Sequence, residues 1–276
     1  MKVAIYNGIS DIPADVQSRL DELWAELHAG GCDTFFYDEG SQNLADCDFI
    51  LSVGGDGTFL SASALSVKND VPIVGVNAGR VGFLSENRPE DVAKALLEGD
   101  FVIEERTVLK VSLEGIASDD AEQFWPYAFN EFTVHRSGAA MLGIDVDIDG
   151  ISLPTYWADG LIVSTSSGST AYSLSAGGPI VLPGSKVLIL TPIAPHNLNI
   201  RPLIVPVSAN ISFRVHSRDA KVAFTADTRT LEINDGALIR MSVAQFSLKR
   251  VRLGSSNFIN ALTEKLFWGE DVRNIK

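Results

Sequence analysis

Phe49-Ile50-Leu51-Ser52-Val53-Gly54-Gly55-Asp56-Gly57-Thr58 is an apolar strand running straight into a glycine turn, and Phe59, Leu60, Ala62, Ala64 and Leu65 beyond it space as a helix. The turn thus joins the C-terminal end of a strand to a helix N-terminus, where free amides and the helix dipole attract anions. Glycines allow a ligand close to the backbone. A carboxylate in such a place would repel bare phosphate. Asp56 therefore makes chemical sense where it meets a metal ion or takes a proton from an attacking hydroxyl, which points toward phosphoryl transfer. The plain alternative is a tight turn, because glycine and aspartate are ordinary turn residues.

Working outward, Val3 to Tyr6 is strand-like, and Val16, Leu20, Leu23, Trp24 and Leu27 recur at helical spacing until Gly30-Gly31 ends the helix. Thr34 to Tyr37 and Pro72 to Val76 are further short strands, and Asp91 to Leu97 is another helix. Strands alternating with helices predict an α/β domain over residues 1–100, with a parallel, Rossmann-like sheet that binds ligands at the carboxyl ends of its strands. From Phe101 the pattern changes to strands and turns: Val108 to Leu113, Ala128 to His135, Ile144 to Ile148, Leu161 to Ser164, Val187 to Leu190, Ile211 to His216, Val222 to Thr225, and Leu238 to Arg252 as two strands. This predicts a β-rich, largely antiparallel dinucleotide-binding domain over 101–252. A C-terminal segment, 253–276, would return a helix bearing Phe258, Ile259, Leu262, Leu266 and Phe267 to the first domain.

The 276 residues suffice for two such domains, and 46% hydrophobic with 21% charged content is that of a globular chain. A formal charge of −13 argues against a general role on nucleic acid or an anionic membrane and favours a small-molecule substrate. Cys32 and Cys47 form no metal-ligand spacing, no apolar run has membrane-spanning length, and the chain starts in a strand-like run with no signal h-region. A reduced, cytoplasmic protein is expected.

Two further segments carry chemistry. Asp159-Gly160-Leu161-Ile162-Val163-Ser164-Thr165-Ser166-Ser167-Gly168-Ser169-Thr170-Ala171-Tyr172 follows the same strand-into-glycine logic and is crowded with hydroxyls. Such hydroxyls and amides can grip a purine, a ribose or a carboxamide without adding charge, or can simply cap a helix. Asn130-Glu131 interrupts the apolar run from Ala128 to His135; in a regular strand one would face each side of the sheet. The pair can bind a sugar diol or base edge, or form cross-strand hydrogen bonds. His135 and His196 have no Ser or Cys nucleophile motif beside them, so structural roles are expected, while Arg201 suits either a phosphate or an internal ion pair.

Taken in order, these segments resemble the ATP-NAD kinase family: Gly54-Gly55-Asp56-Gly57-Thr58, then Asn77-Ala78-Gly79-Arg80-Val81-Gly82-Phe83-Leu84, Asn130-Glu131, Asp159-Gly160 into Gly168-Ser169-Thr170-Ala171-Tyr172, Pro195-His196-Asn197-Leu198-Asn199-Ile200-Arg201-Pro202, and the closing Leu262-Thr263-Glu264-Lys265-Leu266-Phe267-Trp268-Gly269. The glycine turn alone is shared with diacylglycerol-type lipid kinases and, more loosely, with phosphofructokinases; the ordered set is specific. The resemblance implies transfer of the ATP γ-phosphoryl group to the 2′-hydroxyl of the adenosine ribose of NAD, with a divalent metal, usually magnesium. It implies that Asp56 activates that hydroxyl while Gly55, Gly57 and Thr58 shape the loop around the phosphates. Glu131 would hold the ribose diol or support a metal, and Asn130 would contact the adenine end. Thr170 and Ala171, in the loop with Ser167, would border the adenine, with Phe83 and Leu84 beside it. Asp159, Tyr172 and Ser175 would hold the nicotinamide half. Self-association as a dimer or tetramer is implied too; no metal-ligand set follows.

Three positions depart from the family pattern. Thr165-Ser166-Ser167 stands where Thr-Pro-Thr or Thr-Pro-Ser is common, so a proline that would stiffen the loop is absent. Asp227-Thr228-Arg229 replaces a common Asp-Gly-Gln. Trp157, two before Asp159, stands where an arginine is frequent; a neutral aromatic there either stacks on a ligand or packs internally.

Overall fold

The computed structural model describes residues 1–8, 13–38, 43–78, 82–115, 123–219 and 221–268. Gly79, Arg80 and Val81 of the second motif and Gly269 of the closing motif lie outside the described residues. The chain divides into two compact units, Met1–Glu105 with Leu248–Lys276, and Arg106–Ser247.

The first unit is a six-stranded sheet in the order Asp33–Phe36, Lys2–Asn7, Phe49–Gly54, Ile73–Asn77, Leu248–Leu253, Phe101–Arg106. The first five are joined by parallel pairs. Phe49–Gly54 is buried at all six positions, as a central parallel strand covered on both faces requires. Alternate residues of the sheet serve opposite faces. Val3, Ile5, Leu51 and Val76 join the helices α1 (Ala14–Ala29) and α3 (Pro89–Glu98), whereas Ala4 and Ile50 meet Leu44, Cys47 and Val71, with Leu65 of α2 (Asp56–Asn69) against them. In α1 the buried set is Val16, Leu20, Leu23 and Leu27, one stripe at helical period, each worth roughly 1.5–3 kcal/mol of burial. Gly99, at φ 74°, ends α3 in the left-handed conformation.

Leu248–Leu253 departs from the sequence-based division, which ended the β-rich domain at 252: this strand lies in the parallel sheet beside Ile73–Asn77, with Arg250 opposite Ile73. Local alternation cannot reveal which sheet a strand enters; its neighbours decide. The helix Phe258–Leu266 that follows belongs to the first unit as well, with the Phe258 ring 6.0 Å from that of Phe83.

The second unit consists of two antiparallel sheets. One has the order Ile151–Ser152, Leu142–Ile148, Ile211–His216, Leu238–Val243, Leu109–Glu114, Tyr127–Ala128, with Tyr156–Ala158 also paired to Leu142–Ile148. The other runs Leu203–Pro206, Val187–Ile193, Gly160–Thr165, Glu131–Arg136, Lys221–Ala226, Arg229–Asn234. Ile211–His216 buries every second residue, and both sheets contribute to a single apolar core that includes Phe132, Phe213 and Phe224. The expected fold, α/β with a parallel sheet followed by a largely antiparallel β-rich part, is the one observed.

Candidate active site

In the first unit the site is built around Asp56. Gly54 has φ 154°, outside the range of L side chains, and a Cβ there would lie 2.3 Å from the Thr58 Oγ1. Gly55 and Gly57 differ: a side-chain carbon at either would meet nothing within 4 Å among the described residues, so their packing does not demand glycine there. The turn opens α2 with Gly55 as an N-cap that makes no side-chain cap bond, and the first N–H groups of a helix have no partner inside it, the usual setting for an anion. The Asp56 carboxylate points to the following loop: Oδ2 accepts from the Phe83 N–H at 2.9 Å, and Oδ1 from Leu84 and Ser85 at 2.9 and 3.0 Å. Gly82 is the close approach that permits this, since a Cβ there would fall 1.8 Å from Oδ1.

The opposite edge of the same loop is held by Arg250. Its Nη2 reaches the Phe83 and Leu84 carbonyls at 3.4 Å each and pairs with Glu86 at 2.7 Å, both side chains being more than nine-tenths buried. Residues 83–85 are therefore clamped through their amides by Asp56, while Arg250 holds the carbonyls of 83 and 84 and the Glu86 side chain. Sequence reasoning missed Arg250 and Glu86. The only available signal was an arginine amid the apolar alternation of Leu248, Val251 and Leu253, with no hint of its partner.

In the second unit the strand expected over Ala128 to His135 is interrupted. Tyr127–Ala128 pairs with one sheet and Glu131–Arg136 with the other, with a bend at Phe129-Asn130. Asn130 and Glu131 consequently do not alternate across a sheet: both are buried, at 5% and 9% exposure, and the Asn130 Oδ1 and Glu131 Oε2 find no hydrogen-bond partner among the described residues. Asp227 makes the bend. At φ 51° it accepts the N–H groups of Phe129, Asn130 and Glu131 at 2.8, 2.8 and 3.2 Å. Of the Asp227-Thr228-Arg229 triplet, the aspartate thus orders the Asn-Glu pair, and Arg229 braces the preceding segment through the Trp125 and Tyr127 carbonyls. Sequence reading had assigned Asp227 no role.

Burial, and then the Asp227 charge, push the Glu131 carboxyl up to about 8, so it is a neutral acid at pH 7. Burial also raises Asp227, against the three N–H donors and Arg229. A carboxyl whose folded pKa lies above its unfolded value stabilises the fold most fully below the unfolded value, near 4.5, and that contribution is lost as pH rises to about 8. Glu131→Gln, which copies the neutral acid, is expected to match wild-type stability at pH 5 and exceed it at pH 9 by on the order of a few kcal/mol, with a correspondingly higher melting temperature. Thermal melts at the two pH values test this, and equal differences at both would refute the neutral-acid assignment.

The hydroxyl loop packs on this pair. The Thr165 N–H bonds the Asn130 carbonyl at 2.9 Å, and Gly168 sits so close that a Cβ would be 2.3 Å from the same oxygen. Four of the hydroxyls are spent internally: Thr165 on the Phe129 carbonyl, Ser166 on that of Pro183, Ser169 on that of Val181, and Ser173 against Thr191. Of the two expectations for this segment, gripping a ligand or capping a helix, these four hydroxyls serve internal hydrogen bonds. Ser167, at 7% exposure, is buried, Thr170 and Ala171 are half-buried, and Tyr172 and Ser175 are exposed. The missing proline is compensated by the Ser166–Pro183 bond, 2.8 Å long. Because Ser166 has φ −59° and follows an extended residue, Ser166→Pro is expected to fold with a stability change within about 1 kcal/mol, as denaturant titration would show.

Asp159 is bound to Arg136, Nε–Oδ1 2.8 Å and Nη2–Oδ2 3.2 Å, a forked pair. Trp157 is 45% exposed, its ring lies against Gly143, and its backbone N–H bonds the Asn197 side chain. His135 bonds the Arg136 carbonyl, and Arg201 is spent on the Leu198 and Ile200 carbonyls of its own turn. The structure thus gathers Gly55, Asp56, Gly57, Thr58, Phe83 and Leu84 around one turn of the first unit. In the second, Asn130 and Glu131 adjoin the loop bearing Ser167 and Thr170. Among the described residues no group of three or more His, Cys, Asp or Glu side chains could cage a metal.

A glycine turn that opens a helix at the carboxyl end of a parallel strand, in a chain that also carries a buried amide–carboxyl pair beside a hydroxyl loop, defines a nucleotide-binding class of protein. Residues 34–99 match the ATP-NAD kinase N-terminal domain and residues 129–253 the ATP-NAD kinase C-terminal domain. An NAD kinase of Flavobacterium psychrophilum is 39% identical over 231 residues, 82% of this chain and 78% of that one. An NAD kinase of Bacteroides fragilis is 38% identical over 236 residues, 84% and 80% of the two chains. The chain belongs to the ATP-NAD kinase family. Among solved structures, yeast NADH kinase complexed with NADH has the same fold, with TM-score 0.86 and 24% identity, covering 100% of this chain and 90% of that one. An NAD kinase from Archaeoglobus fulgidus in complex with ATP aligns with TM-score 0.74 and 28% identity, covering 97% and 99%.

Proposed function

We propose that this chain transfers the γ-phosphoryl group of ATP to the 2′-hydroxyl of the adenosine ribose of NAD, giving NADP and ADP. The observation that carries this reading is the Asp56 turn with open space at Gly55 and Gly57, in a chain of this family that also holds a buried Asn130-Glu131 pair. In this reading Gly55, Gly57 and Thr58 receive the donor phosphates on the N-terminus of α2, and Phe83 and Leu84 flank the adenine. Asn130 contacts the base, and Glu131, as a neutral acid, donates to a ribose oxygen. Ser167, Thr170 and Ala171 line the adenine side, and Tyr172 and Ser175 the nicotinamide half. Asp159 serves that half through its forked pair with Arg136.

The chemistry needs positioning and charge stabilisation more than covalent participation. As the ribose oxygen bonds to the γ-phosphorus and the bond to the β–γ bridging oxygen breaks, the hydroxyl proton passes to an Asp56 oxygen. Oδ2 accepts only the Phe83 N–H and keeps a lone pair for that proton, so the contacts to the 83–85 loop can persist through the transfer. The lone Asp56 carboxylate, already bonded twice at Oδ1, fits a magnesium ion brought on the nucleotide phosphates with its own waters rather than one held in a protein cage. Such an ion would supply charge neutralisation on the phosphates.

Purified protein incubated with NAD, ATP and magnesium, read by an NADP-specific assay, tests the reaction. A phosphorylated lipid as the only product under NAD and lipid competition would overturn it, and NAD binding without turnover would make the chain a sensor. Self-association as a dimer or tetramer belongs to the same reading; sedimentation velocity across a concentration series tests it. No described helix is long and apolar enough to cross a membrane. The free thiols of Cys32 and Cys47 support a reducing, cytoplasmic setting.

A further inference from the structure

Lys265, on the closing helix Phe258–Leu266, is the charged group near Asp56 that the reaction described above leaves unused. Its Nζ lies 4.1 Å from the centre of the Phe83 ring, on the residue whose N–H is held by Asp56. It is buried and has no hydrogen-bond acceptor among the described residues. A lysine on a surface helix normally carries its ammonium outward to water along a flexible stem. Here the stem brings it inward, and the nearby carboxylates are committed elsewhere: Asp56 to the amides of residues 83–85, Glu86 to Arg250. A cation so placed has charged neighbours but no hydrogen-bond acceptor among the described residues.

We propose that Lys265 binds the phosphate oxygens of the nucleotide donor at the Gly54–Thr58 turn and takes up their charge as the γ-phosphoryl group moves. The assignment rests on the reading that the donor phosphates occupy that turn. An ammonium is a compact point charge with three donors, suited to phosphate, and a phosphate supplies the acceptors that the folded chain withholds from it. The aromatic face of Phe83 holds the ammonium ready without consuming its donors. The groups facing it are Asp56 from α2, Glu86 from the loop, Arg250 from Leu248–Leu253, and Glu264 from its own helix; burial, with a smaller push from Arg250, outweighs the three carboxylates and lowers Lys265 to about 8. Its charge is therefore lost just above neutral pH in the absence of phosphate.

The test compares Lys265→Met, which keeps the stem and deletes the charge, with Lys265→Arg, which keeps the charge, using steady-state kinetics and calorimetric binding of inorganic tripolyphosphate. Lys265→Met is expected to raise the KM for ATP and the tripolyphosphate Kd by about 10–100-fold, with the KM for NAD within about threefold of wild type. Lys265→Arg should restore both. Between pH 7 and 9 the wild-type KM for ATP should rise relative to that of Lys265→Arg, since only the lysine loses its proton there. If the Met variant fails to fold, this paired pH series decides: parallel profiles overturn the proposal. Gly57→Ala reports on the phosphate position by itself, because its Cβ meets no atom of the described residues within 4 Å and so acts chiefly on a bound ligand. A raised KM for ATP in Gly57→Ala with unchanged values in Lys265→Met removes Lys265 alone. Unchanged values in both remove the phosphate position and the proposal with it.

Discussion

Asp56→Asn is expected to lower kcat for NADP formation by about 10²–10⁴-fold, the usual worth of a positioned base. The loss has a second source here. Asp56 accepts three backbone N–H groups, and an amide presents only one acceptor oxygen, so its NH₂ must face at least one of the Phe83, Leu84 and Ser85 donors. The 82–85 loop should therefore loosen as the base is lost, leaving a buried donor without an acceptor. Hydrogen exchange at the Phe83, Leu84 and Ser85 amides, measured beside kcat, separates the effects. A kcat within a few-fold of wild type removes Asp56 as the base, and unchanged exchange at those amides refutes its clamping role.

The largest stability effect is expected at Arg250. Arg250→Met leaves Glu86 buried without its partner and removes the donor to the Phe83 and Leu84 carbonyls. Breaking one side of a buried pair costs about 3–5 kcal/mol, whereas replacing both sides by neutral groups is often close to harmless. The variant should melt on the order of 10 °C below wild type. The double variant Arg250→Met with Glu86→Gln should recover a substantial part of that difference. Scanning calorimetry decides: a single variant that melts with wild type would mean the pair contributes nothing to the fold. Because the clamp lies on the loop that Asp56 also holds, the single variant should in addition raise the KM for NAD if Phe83 and Leu84 flank its adenine.

Glu131 shows how far environment alters the chemistry of a residue. Its type and position were readable, yet an ionised carboxylate holding a ribose or a metal was the natural expectation. The bend made by Asp227, 96 residues further on, buries it and keeps it protonated. Trp157 tells the opposite story. An exposed ring over Gly143 keeps the stacking alternative open in a way that composition alone could not settle.

The sequence by itself determined the parts that depend on neighbours along the chain. The strand–turn–helix at Phe49 to Leu65, the switch from helical to alternating periodicity near Phe101, and the ordered motifs that mark the family are all local patterns in which period and turn chemistry carry the information. Only the tertiary structure decided which residues far apart in sequence share an environment. Leu248–Leu253 returns to the first sheet and places Arg250 against Glu86, 164 positions earlier; Asp227 reaches back to Phe129, Asn130 and Glu131; and Lys265 comes to lie over Phe83. Whether a carboxylate is a base, a clamp or a neutral acid depends on how many donors and how much water surround it, and a linear pattern of residue types does not encode that count.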